Sequence, residues 1–261
     1  MANKPLISVV TICRNAESLI AETMKSVLRQ TYPNIDYIIV DGKSTDRTLE
    51  TIYEIIRNYP TRKIKIVSEQ DEGIADAMNK GVRLASGELI AHLHAGDRYI
   101  GHSVIGQAVK SYCENQWRWG VAGSIVVDLL GNERHTYKAS SDYKVLLKKN
   151  CIPHQSAFLV KDIFDKHGLF KVEYKQAMDY EYWLRIAFKG GERVTVLPFN
   201  TTYFLDGGRS SKIFELLKYL RMLRASMREY GCNVTAIDDL VFLLRVIIFY
   251  IYHKFKMKWL K

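Results

Sequence analysis

Cysteine is scarce in this chain, and what there is has no pairing pattern. Cys13, Cys113, Cys151 and Cys232 are scattered with no CxxC spacing, which argues against a disulfide framework and for reduced thiols in a cytosolic protein. The N-terminus, MANKPLISVV, lacks a hydrophobic run leading to a small-residue cleavage site, so no secretory signal is expected. No internal repeat or low-complexity linker interrupts the sequence. An acidic balance is absent too: 38 Lys and Arg stand against 28 Asp and Glu, a formal charge of +10. Such an excess suits nucleic acid or an anionic membrane. Its placement favours the second. The last eight residues carry four lysines among Phe255, Met257, Trp259 and Leu260, with no acid, a pattern suited to lipid headgroups rather than DNA or RNA.

What remains is ordinary globular substance. The 261 residues are 48% hydrophobic and 25% charged, enough for a substantial core in one domain with an extension or in two small ones. The run at 7–12 is β-branched and apolar, as a buried parallel strand requires. Leu19, Ile20, Met24, Val27 and Leu28 then recur at helical spacing. Further strands are expected at 35–40, 64–67 and 89–93. Helices are expected through 49–56, behind the capping sequence Ser44-Thr45-Asp46, and at 74–84. Repeated β–α units of this length predict a parallel sheet covered on both faces. After residue 97 the rhythm changes to a helix near 103–115, a strand at 120–128 and a hairpin partner around 134–138. Residues 150–206 read as an extended segment, a helix at 180–188 and a strand at 193–197. Gly207-Gly208 breaks the chain, and two closing helices are expected at 213–230 and 238–258.

Two of these strands end on carboxylates. Ile38-Ile39-Val40 runs into Asp41-Gly42, and the strand at 89–93 ends in His94-Ala95-Gly96-Asp97. Acidic strand ends at the carboxyl edge of a parallel sheet point to a nucleotide–metal site. Each acid also has a plainer use. Asp41 can close a turn with Gly42, Asp179 can cap a helix beginning at Tyr180, and Asp71 and Glu72 can favour a helix dipole. His92 and His94 share a strand face, but no third zinc ligand is evident; His92 is expected in the core. Glu181 reads as a solvated helix residue.

Five segments in order, ISVVTICRNAESLIAETMKSVLRQTYPNIDYIIVDGKSTDRT, DEGIADAMNKG, GELIAHLHAGD, PHQSAFLVKDIFDKHGLF and AMDYEYWLRIAFKGG, resemble the family 2 glycosyltransferases. The resemblance is nearest to members acting on bacterial exopolysaccharide, capsule or O-antigen. It implies a GT-A, Rossmann-like, mostly parallel α/β sheet over 1–210, with a C-terminal helical extension at 211–261. It also implies an inverting transfer from a nucleotide sugar, in first place a UDP-sugar, to a lipid-linked glycan. By position, Thr11, Asp41, Asp76, Asn79, His94, His154 and Arg209 are implied on the donor. Asp97 is implied as the ligand of Mn2+ or Mg2+, and Asp179 as the catalytic base. Gln155 accompanies His154. Gly96 stands where many members carry another acid, a departure that weakens the metal site. Two other readings stay in view: a nucleotidyltransferase, opposed by the absence of glycine from Thr11-Ile12-Cys13-Arg14-Asn15, and a glycan-binding member with weakened catalysis.

The C-terminus has its own logic. From 240 to 252 the chain is apolar except for Arg245, thirteen residues in all. At 1.5 Å per residue this helix is about 20 Å long, short of the roughly 30 Å hydrocarbon core. A peripheral position on the inner face of the cytoplasmic membrane is expected, with a core helix or a homodimer contact as the alternatives.

Overall fold

The computed structural model describes residues 4–206, 213–241, 243, 244, 247 and 248. Its first half alternates β1 (Ile7–Cys13), α1 (Ile20–Leu28), β2 (Ile35–Asp41), α2 (Thr48–Arg57), β3 (Ile64–Ser68), α3 (Ile74–Leu84) and β4 (Leu89–His92). β1 is buried along its whole length and pairs in parallel with β2 on one side and β4 on the other. Its side chains alternate between two cores, as a strand covered on both faces must. Val10 and Ile12 join Met78 and Val82 of α3 on one face. Ile7, Val9 and Cys13 join Ile20, Met24 and Val27 of α1 on the other. α3 approaches closely enough that a Cβ on Gly81 would fall 2.1 Å from Val10 Cγ1.

The second half comprises β5 (Arg98–Tyr99), α4 (Val104–Asn115), β6 (Trp119–Val127), β7 (Glu133–Tyr137) and α5 (Tyr143–Leu146). They are followed by β8 (Ala157–Val160), α6 (Asp162–His167), α7 (Met178–Leu184), β9 (Val194–Leu205) and α8 (Ile213–Glu229). Among the described residues the sheet has nine strands in the order β3-β2-β1-β4-β8-β6-β9-β5, with β7 on the flank of β6. The parallel character expected from the sequence holds from β3 through β4 and in the β6–β9 pair. β8 is antiparallel to both β4 and β6. Four residues are too few for a periodicity to show, so β8 reads from sequence only as extended chain. β9 continues to Leu205 rather than stopping at 197. Its ladder with β6 changes register around Gly123 and Asn200, just past Pro198, which cannot donate to a ladder.

Glu181 corrects an expectation outright. It is fully buried, and accepts hydrogen bonds from Arg185 Nε at 3.0 Å and Nη2 at 3.1 Å. Lys171 Nζ stands 3.5 Å away, and Tyr230, just past α8, donates its hydroxyl to the same carboxylate. Arg185 also donates to the carbonyls of His167 and Leu169, and the backbone relaxes into a π-helical turn over Arg185–Lys189. Arg185 is one helical turn away, but the burial of Glu181 and its contacts with Lys171 and Tyr230 are set by tertiary packing that the local sequence does not show.

Two outcomes are expected. Gly81→Ala should overpack the α3–β1 contact and cost about 1–3 kcal/mol, read as a lower midpoint in urea. Glu181→Ala leaves the charge of Arg185 buried without its carboxylate and should cost about 3–5 kcal/mol. A midpoint equal to that of the parent chain would show that solvent already compensates that charge.

Candidate active site

A cleft of about 1450 Å³ opens at the carboxyl ends of β1 and β4. The chain builds outward from β1 to β3 and then returns to place β4 on the other side of β1. Loops leaving β1 and β4 therefore diverge, and the crevice between them is where α/β sheets bind ligands. Ile12, Cys13, Arg14 and Asn15 line it from β1, and His94, Ala95 and Asp97 from β4. Pockets for drug-sized ligands are about 300–1,000 Å³, so this larger volume has room for two substrates.

The far wall comes from the second half of the chain. Asp179, near the start of α7, is 18% exposed at its side chain. Its Oδ2 accepts from Asn150 Nδ2 at 3.0 Å and lies 3.8 Å from His154 Nδ1. Ala177, just ahead of α7, holds φ 57°, a left-handed conformation costly for a residue with a Cβ and often retained where it aims a functional group. α7 begins at Met178, so Asp179 sits inside the first turn and does not cap it. His154 opens a 3-10 turn that leads into β8, and its ring lies 4.4 Å from that of His94. The Nε2 atoms of both rings are buried without a hydrogen-bond partner. Burial lowers the pKa of both imidazoles, with Asp179 pulling His154 the other way.

The structure thus gathers His94, Asp97, His154 and Asp179 in one cleft and leaves four other expected residues off its lining. Thr11 is fully buried and bonded to Tyr37 Oη at 3.0 Å. Asp41 is fully buried: its Oδ2 accepts from Ser44 N at 3.0 Å and Ser68 Oγ at 2.7 Å, and its Oδ1 from Ser44 Oγ. The plainer reading, a strand-terminating brace, describes Asp41 well. Asn79 spends both ends of its amide on the backbone of Phe170, at 2.8 and 2.9 Å. Asp76 accepts from Glu72 N and pairs with Lys80. Asn79 and Asp76 sit on α3 in the quoted motif, but helical rotation carries them away from the cleft. Arg209 lies outside the described residues. His92 packs among aromatic rings, 5.5 Å from Phe170, as expected of a core residue.

Asp71, Asn150 and Lys175 line the cleft and were not singled out for it. Asp71 leans over the turn after β2: a Cβ on Gly42 would fall 2.2 Å from its Oδ2. The Asp-Glu-Gly of the second motif was the available signal, obscured by the dipole reading. Asn150 and Lys175 carried none.

The metal expected at Asp97 fits this arrangement poorly. Asp97 is 4% exposed, its Oδ1 accepts from Leu205 N at 3.1 Å, and burial raises its pKa to about 7. A hard cation prefers ionised, accessible oxygens. Among the described residues, no three His, Cys, Asp or Glu side chains form a metal-binding group.

Comparison with known proteins places this geometry. The family model for glycosyl transferase family 2 matches residues 8–163. A glycosyltransferase of Mycobacterium tuberculosis is 32% identical over 193 residues, covering 72% of this chain and 71% of its own. Among solved structures, Staphylococcus aureus TarS 1–349 in complex with UDP-GlcNAc superposes with a TM-score of 0.68 at 18% identity, covering 91% of this chain and 70% of that one. The mannosyltransferase PcManGT of Pyrobaculum calidifontis, in complex with GDP-Man and Mn2+, gives 0.63 at 15% identity, covering 95% and 81%. These two share the fold, which is the GT-A architecture expected from the sequence. With a matched segment that runs from β1 through β8 to the start of α6, the chain belongs to glycosyl transferase family 2.

Proposed function

We propose that the protein is an inverting glycosyltransferase that takes a sugar from a nucleotide sugar to a hydroxyl of a membrane-bound glycan acceptor. The observation that carries the reading is the single cleft joining the β1/β4 crevice to Asp179. The donor nucleotide would occupy the crevice, with Asp71 and Arg14 at its inner end. The UDP-GlcNAc and GDP-Man complexes of the two solved relatives support a nucleotide-sugar donor. The acceptor hydroxyl would approach from the Asn150 side.

Asp179 would act as the base. An alcohol is a weak nucleophile at neutral pH, and a positioned carboxylate takes its proton as the bond to the anomeric carbon forms. Asn150 Nδ2 holds one oxygen of that carboxylate in place. Single displacement from the face opposite the diphosphate inverts the anomeric centre. The mannosyltransferase complex holds Mn2+ beside GDP-Man, which supports a divalent cation at the donor; the buried Asp97 is a poor seat for one, and the roles of Asp179 and Asn150 do not depend on it.

Membrane contact belongs to the proposal too. Residues 236–241 are helical, as are 243, 244, 247 and 248. Ile237, Leu240, Leu243, Leu244, Ile247 and Ile248 are all exposed, Ile237 at 72%. Among the described residues, no helix is long and apolar enough to cross a membrane. An exposed apolar helix leading into a lysine-rich sequence suits the interface of an anionic bilayer. The lysine-rich residues 254–261 themselves lie outside the described residues.

Asp179→Asn should keep nucleotide-sugar affinity while lowering transfer by about 10²–10⁴-fold, measured by calorimetry and product formation over a panel of UDP-, GDP- and dTDP-sugars. A product that retains the donor's anomeric configuration would rule out this mechanism. Deleting 240–261 spares Asp239, which clasps Arg224 and Arg228 of α8. The truncated chain should no longer co-sediment with anionic vesicles yet should still hydrolyse donor. Unchanged co-sedimentation would place the anchor elsewhere.

A further inference from the structure

We propose that the tip of the β6–β7 hairpin, Leu129-Leu130, is a second membrane-inserting element that holds the rim of the cleft against an anionic bilayer. The inference rests on the membrane contact proposed above for the helix from 236, and adds a site where the bilayer meets the cleft itself. Leu129 and Leu130 are the two most exposed large apolar side chains among the described residues, at 79% and 87%. Scattered exposed leucines need no explanation. An adjacent pair at a turn, where glycine and polar residues are usual, does.

The turn holds this pair out in a fixed shape. Asp128 Oδ1 accepts from Leu130 N and from Asn132 N, both at 2.9 Å. Its Oδ2 accepts from Asn132 Nδ2 at 3.1 Å and from Arg134 Nη2 at 2.8 Å. Gly131 takes φ 84°, which closes the turn without steric cost. A tip already ordered loses little entropy on insertion. The ion pair with Arg134 also offsets the charge that Asp128 would bring to anionic headgroups.

Position and charge select the bilayer as the occupant. Leu129 lines the cleft, and so do Lys148, Lys149 and Arg224. Both lysines are exposed. From 133 to 149 five basic residues stand against two acids, Glu133 and Asp142, a balance suited to anionic lipid. Arg224 links this rim to the apolar helix, since its Nη2 donates to the carbonyl of Asp238 at 2.7 Å. Hydrogen bonds from Thr235 hold the Asp238 carboxyl below its ordinary pKa, and the charges of Arg224 and Lys148 add to the effect. Lys148 thus stands near the root of that helix. Two apolar elements therefore adjoin one cleft. A single weak anchor gives only marginal, reversible membrane binding, whereas two signals together give a stable one. The cleft then opens at the lipid surface, where a glycan carried on a lipid would arrive.

The test labels the full-length chain at the tip. Cys113→Ser removes the exposed thiol and leaves Cys13, Cys151 and Cys232 buried, so Leu130→Cys can carry an environment-sensitive fluorophore alone. Phosphatidylglycerol–phosphatidylcholine vesicles should shift its emission to the blue and shield it from acrylamide. A label at Thr61→Cys, exposed just before β3 and so at the amino edge of the sheet, should stay accessible. In co-sedimentation, Leu129→Ser with Leu130→Ser should lower vesicle affinity about tenfold or more. Lys148→Gln and Lys149→Gln should each lower it about fivefold. Should circular dichroism show the serine pair misfolded, the label at 130 decides. In a chain that co-sediments, the wedge is overturned by a label at 130 as accessible as that at 61, or by a folded serine pair that binds like the parent. The C-terminal contact then stands. Equal binding to vesicles of phosphatidylcholine alone would overturn the choice of an anionic surface. A blue shift that grows with protein concentration, without vesicles, would assign the tip to a second copy of the chain and overturn the wedge. A parent chain that does not co-sediment would remove both the tip and the helix as membrane contacts and leave the transferase reading untouched.

Discussion

The structure depends on the parallel pairing of β1 with both β2 and β4. Burial of β1 on both faces demands helices above and below it, and α1 and α3 supply them. Once β4 has crossed back to the free edge of β1, the two carboxyl ends must part. The crevice is thus a consequence of chain direction rather than of any residue in it. This is why Arg14 and Asn15 on one side and His94 on the other share a cleft although about eighty residues separate them.

The second half of the molecule closes that crevice by a different device. β8 runs antiparallel between β4 and β6, so the turn that starts it is delivered to the open end of β4. His154 arrives beside His94 for this reason. α7 is held from behind by Glu181, whose carboxylate ties together Arg185, Lys171 and Tyr230. Tyr174 Oη and Ser226 Oγ add a second tie to α8 at 2.5 Å. The face of α7 that carries Asp179 is thereby presented to the cleft by a helix whose opposite face is locked by charge. Burying such a network costs desolvation that packed apolar residues would not. What it adds is a defined position for the helix that carries Asp179.

Much of this was legible in the chain itself. The β–α alternation to residue 97 follows from apolar runs and helical spacing, which are local and periodic. The five motifs identified the family, and three residues within them, His94, His154 and Asp179, line one cleft. The helix boundaries at α3 and α4 fell where spacing placed them. Tertiary contact alone decided the rest. Whether an acid at a strand end faces solvent or neighbours depends on what the next loop brings. Asp41 met Ser44 and Ser68, and Asp97 met the backbone of Leu205. Asn79 and Asp76 sit in a recognisable motif, yet the rotation of α3 gave one to Phe170 and the other to Lys80. Sequence determines which groups carry charge, hydrogen-bonding capacity and periodic apolarity. Only the folded chain determines which of them spend that capacity on each other, because their partners lie as many as 108 residues away.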